Sequence, residues 1–170
     1  MQKISNKFYT GERSLFHSEN LQLENCEFGE GESPLKESRD VSLENCKFGW
    51  KYPLWYGKNF TVSNCYFAEM ARAGVWYTEN VLFKNVKIDA PKELRRCRGV
   101  TLENVEFNLA HETLWACDGV KINLVDTAGI RESDDVVEAK GIERAKRAFE
   151  GADVILHVVD TTAPDDKEWD

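Results

Sequence analysis

The sequence predicts a mainly β protein: a right-handed, single-stranded parallel β-helix of about six coils between Leu15 and Val125, with a C-terminal α-helix and strand capping its open end. Three observations predict it. A nine-residue unit returns about every twenty residues, and within each copy apolar and polar residues alternate. From Lys121 onward that unit gives way to a stretch with helical spacing. A fixed period of this length belongs to solenoids, and period-two alternation belongs to strands with one buried face.

The unit first runs from Asn20 to Phe28 (NLQLENCEF). It returns as Asp40 to Phe48 (DVSLENCKF), Asn59 to Phe67 (NFTVSNCYF), Asn80 to Ile88 (NVLFKNVKI) and Gly99 to Phe107 (GVTLENVEF). Asn25, Asn45, Asn64, Asn85 and Asn104 follow one another at spacings of 20, 19, 21 and 19 residues. A second apolar series precedes each copy: Leu15, Leu35, Leu54, Val75, Leu94 and Leu114. A short strand cannot hide its apolar face alone, but stacked coils bury it continuously. Coils about 4.8 Å apart would place Leu21, Val41, Phe60, Val81 and Val100 in one inward file. Leu23, Leu43, Val62, Phe83 and Leu102 would form a second. Asparagine tolerates left-handed backbone, so the Asn series is expected at a bend, with its amides bonded from coil to coil. A leucine-rich repeat of this period would need a longer LxxLxL signature.

Composition narrows the functional classes. The net charge is −8, with 13 acidic against 7 basic residues in 121–170 and 17 against 15 before that. No basic stripe stands out, so no nucleic-acid partner is expected. No apolar run approaches the roughly 20 residues that span a bilayer, and MQKISNKFYTGERSLF holds no apolar signal core. A cytoplasmic protein without a membrane partner is therefore expected. The five cysteines include no CxxC pair, which predicts reduced thiols.

The phrases GERSLF, GESPLKESRDVSLENCKFGWKYPLWYGKN, FAEMARAGVWYTEN and ETLWACDGVKI resemble a family of bacterial parallel β-helix proteins of unknown function, over residues 8–122. The tail, KINLVDTAGIRESDDVVEAKGIERAKRAFEGADVILHVVDTTAPDD, resembles part of the GTPase domain of the tRNA-modification GTPases (MnmE or TrmE), over residues 121–166. That resemblance implies a strand at 121–126, a helix near 134–150 and a strand at 153–160. In that family the motif matched by Asp126, Thr127, Ala128 and Gly129 is the switch: the aspartate acts through magnesium-bound water and the glycine amide faces the γ-phosphate.

Local signals agree with the layout. Ser133 can cap a helix opening with Asp134 and Asp135; Val137, Gly141, Ile142, Ala145, Ala148 and Phe149 make an apolar stripe, and Gly151 can end it. No GxxxxGK[ST] loop and no NKxD motif accompanies the switch, so Asp126 to Gly129 are read as a non-functional remnant and no cofactor is expected; a residual nucleotide-binding remnant without GTPase activity is the lesser alternative. The junction is in step with the coils: Val120, Ile122 and Leu124 continue the inward alternation, and only the Asn series breaks, at Leu124. The sequence thus reads as two domains, a β-helix over 1–120 and a GTPase-derived strand–helix–strand over 121–170. The leading expectation is a recombined or engineered hybrid whose tail covers the end of a truncated β-helix.

No catalytic residue is expected. The file Phe16, Lys36, Trp55, Trp76, Arg95 and Trp115 gives one outward side chain per coil, and Trp55, Trp76, Arg95 and Trp115 could stack on sugar rings, so a carbohydrate is the alternative partner. Packing against flanking loops, such as 50–56, is the leading explanation for them. Glu69 with Arg72, and His111 with Glu112, are the only carboxylate groupings suited to acid–base work, and each equally suits a surface ion pair. The Cys26, Cys46, Cys65 file continues as Val86, Val105 and Val125, which is core packing, and no metal is expected. Edge strand 153–160 offers a surface for a homodimer.

Overall fold

A computed structural model of the chain describes residues 1–109 and 111–123. They form a parallel β-solenoid of about six turns. Its strands are β1 (Gln2–Ser5), β2 (Phe8–Tyr9), β3 (Glu19–Glu24), β4 (Glu27–Phe28), β5 (Arg39–Glu44), β6 (Lys47–Phe48), β7 (Lys58–Ser63), β8 (Tyr66–Phe67), β9 (Glu79–Ile88), β10 (Arg98–Phe107) and β11 (Lys121–Asn123). A single turn of 3₁₀ helix, Glu69–Ala71, interrupts the fourth turn. The longer strands stack as β1-β3-β5-β7-β9-β10-β11, all parallel. The two-residue strands stack beside them, β2-β4-β6-β8, and join the second half of β9.

The register is the one the repeat predicts. Leu21 pairs with Val41, Val41 with Phe60, Phe60 with Val81, and Val81 with Val100. These residues and the Leu23 file are buried, as are Leu35, Leu54, Val75 and Leu94 on the opposite wall. Between them runs an aromatic file: Tyr9 stacks on Phe28 at 5.1 Å, Phe28 on Phe48 at 4.8 Å and Phe48 on Phe67 at 4.8 Å. Ring-on-ring contact at the strand spacing keeps this file dense.

The solenoid begins one turn earlier than the sequence suggested. Gln2 pairs with Leu21 and Ile4 with Leu23, and Asn6 takes the place of Asn25 with φ of 56°. The amide of Asn6 donates to Glu24 O at 2.9 Å.

Four left-handed corners recur from turn to turn. One is the Asn series, with φ of 51–56°. A second is Asn20, Asp40, Asn59 and Asn80, continued by Gly99 and Gly119 at φ of 66° and 63°. The other two pass through Arg13, Ser33, Tyr52, Ala73, Lys92 and Glu112, and through His17, Glu37, Tyr56, Tyr77, Arg96 and Ala116. Left-handed backbone costs an L-residue about 1–2 kcal/mol, so amide-bearing corners that hydrogen-bond locally are the cheaper ones. The amides do bond from turn to turn: Asn45 Nδ2 donates to Asn25 Oδ1 at 2.6 Å, Asn85 to Asn64 at 3.2 Å and Asn104 to Asn85 at 2.9 Å. Asn64 departs from the ladder and donates to Glu44 Oε1 instead.

A further internal file carries small hydrogen-bonding side chains. Ser38 Oγ donates to Leu15 O, Thr78 Oγ1 to Leu54 O, and Cys97 Sγ to Val75 O, each one turn back. Here a thiol does the work of a hydroxyl. All five cysteines are free, with Cys26, Cys46, Cys65 and Cys97 buried.

At the junction, β11 pairs in register with β10, Thr101 opposite Lys121 and Leu102 opposite Ile122. The alternation therefore continues through the first residues of the tail. Burial does not: Ile122 is 53% exposed. The expected strand to residue 126, helix at 134–150, strand at 153–160 and the remnant motif Asp126 to Gly129 lie outside the described residues.

Candidate functional site

The side chains with the most chemical capacity stand on one wall, where Trp76, Arg95 and Trp115 pair backbone to backbone in successive turns. Trp55 lies in the turn before. The structure brings all four predicted stripe residues together. It also fixes how they meet, which spacing alone could not do.

The rings face one another. Trp55 and Trp76 lie at 5.3 Å between centroids with planes only 8° apart. The guanidinium of Arg95 sits 4.7 Å from the Trp76 ring and 3.6 Å from that of Trp115. It is thus clasped between two indoles, a cation–π arrangement whose strength rises as the pair loses water. Tyr52 covers Trp55 further, at 4.5 Å. The indole N–H of Trp55 donates to Ala73 O, and that of Trp76 to Lys92 O at 2.8 Å. In the next column Tyr56 stacks on Tyr77 at 4.8 Å, and the Lys36 ammonium lies 5.6 Å from the Tyr56 ring.

Stacking on a sugar needs an open ring face. Trp76 lies against Trp55 and Arg95 of the file, and Trp55 against Trp76 and the corner residue Tyr52. Trp115 ends the stripe and is 52% exposed, so it has the most accessible ring. The remaining members predicted for this file, Phe16 and Lys36, belong to earlier turns; Phe16 lies against Arg13 and His17.

The two carboxylate groupings do not converge. Glu69 opens the 3₁₀ turn and Arg72 follows it, both exposed, with no ion pair between them. Glu112 pairs with Lys92 Nζ at 3.3 Å, while His111 is exposed. Among the described residues no group of three or more His, Cys, Asp or Glu could hold a metal ion. The Cys26, Cys46 and Cys65 thiols donate to backbone carbonyls inside the core.

One group escaped sequence reasoning. Glu93 follows Gly74 in the file just before the inward leucines and is fully buried. Neither carboxyl oxygen has a hydrogen-bond partner of good geometry, and Thr113 Oγ1, one turn further on, is buried and unpaired too. Burial pushes the Glu93 carboxyl well above the usual carboxylate range, opposed only by the nearby Gly74 amide. The position is made by glycine: a Cβ on Gly74 would lie 2.3 Å from Glu93 Oε2. The conjunction of a glycine with a glutamate one coil later was the available signal.

A shallow groove of about 430 Å³ lies on the outer face of β7, β9, β10 and β11. It opens where the corner file Asn59, Asn80 passes into Gly99 and Gly119, and Lys121 is among its lining residues.

Fold and wall together define a parallel β-solenoid with a stripe of outer aromatics stacked from turn to turn. Residues 2–164 match the family described as Protein of unknown function (DUF3737), and the chain belongs to that family. The match takes in the first turn, β1 and β2, and runs beyond Ile122, across the stretch that resembles a GTPase. A shorter likeness runs to curated tRNA modification GTPases. The protein named tRNA modification GTPase MnmE from Bordetella parapertussis is 55% identical over 49 residues, 29% of this chain and 11% of the relative. Its namesake from Streptococcus suis is 56% identical over 46 residues, 27% of this chain and 10% of the relative. The chain therefore spans about a tenth of the length of the curated relatives it matches.

Proposed function

We propose that the protein is a non-catalytic structural hybrid, in which a GTPase-like segment shields the last turn of a β-solenoid. The observation that carries this reading is the junction: Lys121–Asn123, the start of the GTPase-like stretch, pairs with β10 as the next rung without a slip in register. Ile122 leaves apolar surface on the last rung, which an amphipathic segment would cover. The self-packed Trp55, Trp76 and Arg95 favour a scaffold over a recognition surface.

The test compares the full chain with a chain ended after Asn123. Under this reading the full chain melts higher and the shortened chain self-associates on gel filtration, while titration of the full chain with GTP and magnesium gives no heat. Equal melting temperatures with a monomeric short chain would sink the shielding role. GTP binding or hydrolysis would sink the non-catalytic one.

A carbohydrate-binding solenoid is the second reading, favoured by Trp115, whose ring is half exposed beside Arg95. It predicts a glycan-array signal that Trp115→Ala removes.

A further inference from the structure

Cys97 and Cys117 occupy the same column in the fifth and sixth turns. Arg98 pairs in parallel with Asp118, Arg95 with Trp115, and the Asp118 amide donates to Cys97 O at 2.9 Å. The two cysteines are therefore direct neighbours along the solenoid axis. Neighbouring rungs stand about 4.8 Å apart, inside the roughly 4.4–6.8 Å range of Cα separations that a disulfide spans.

Their surroundings differ. Cys97 is buried, its thiol donating to Val75 O at 3.1 Å, and burial together with the neighbouring Cys117 thiol pushes it up to about 12. Cys117 is half-buried, and its thiol reaches Trp115 O only at a long 3.9 Å. Cys26, Cys46 and Cys65 lie inside the core, where no solute reaches them. Thiol reactivity follows access and thiolate character, and Cys117 has the access.

We propose that Cys97 and Cys117 are an oxidisable pair, with Cys117 the reactive thiol and Cys97 its resolving partner, whose disulfide fastens the sixth turn to the fifth. The oxidant is a low-molecular-weight disulfide. The Cys117 thiolate attacks one of its sulfurs, an S–S bond forms to Cys117, and one small thiolate leaves. Cys97 then attacks Cys117 Sγ, the second small thiolate leaves, and the two protein protons end on the two released thiols. The protein loses two electrons and the oxidant gains them. The Cys97 hydrogen bond to Val75 O is given up in the process.

The experiment incubates the full chain with glutathione disulfide, then counts thiols in denaturant and maps peptides without reduction. Free thiols should fall from five to three, with one peptide pair joined through Cys97 and Cys117. Cys97→Ser is expected to fold, since Ser38 fills the same column, and to hold glutathione on Cys117 as a stable mixed disulfide. Cys117→Ser should keep all four of its thiols. In the oxidised protein the β11 amides should exchange with solvent at least tenfold more slowly than in the reduced one. Five unreacted thiols, a lasting glutathione adduct on the wild-type Cys117, or a link through Cys26, Cys46 or Cys65 would each overturn the assignment.

Discussion

Glu93 is the residue at which this solenoid departs furthest from an apolar core. A buried carboxyl without a partner is tolerated far better neutral than charged, because ionisation there costs several kcal/mol. Its folded-state affinity for the proton is raised, so its contribution is fully present below about pH 4.5 and is lost as the pH climbs toward the raised value. Urea unfolding between pH 5 and pH 9 is expected to show stability declining with pH. Glu93→Gln, which keeps the shape without the proton, should flatten that slope. A slope unchanged by the substitution would show that the carboxyl is not the titrating group. Burial of this kind was illegible beforehand, since a lone glutamate between Lys92 and Leu94 looks like a surface residue until Gly74 is placed beside it.

At the scale of the element, the corners decide whether a rung can close. Asn85 turns left-handed at φ of 52°, donates to Asn64 and accepts from Asn104. Asn85→Ala should cost about 1–2 kcal/mol in chemical unfolding, mostly backbone strain, and Asn85→Gly clearly less, because glycine keeps the conformation free of it. Equal losses would point to the amide bonds instead. These corners were readable because asparagine advertises them. The corners at Arg13, Tyr52 and Tyr77 were not, since long side chains seldom accept positive φ and carry no such signature. The first turn was missed for a related reason: Gln2 and Lys7 stand where leucine and cysteine stand elsewhere, although Asn6 and Tyr9 keep the spacing. The outer stripe was found by its spacing, but whether its rings face solvent or each other depends on side-chain rotation, which spacing does not set.

For the whole molecule, every turn touches little beyond its two neighbours, so stability sums over adjacent contacts and weakens where a neighbour is missing. Hydrogen exchange is expected to be slowest in β5, β7 and β9 and fastest in β1. Uniform protection along the stack would contradict this. The same arrangement has a mechanical consequence. Backbone bonds between rungs lie parallel to the long axis, as the bond from Asn25 N to Glu44 O at 3.0 Å does. A pull applied at the two ends loads them in series, one rung after another, the geometry of a zipper rather than of a rope. Each rung of about 20 residues would pay out roughly 65 Å of chain as it yields, so the solenoid is built to give way gradually under tension while resisting compression.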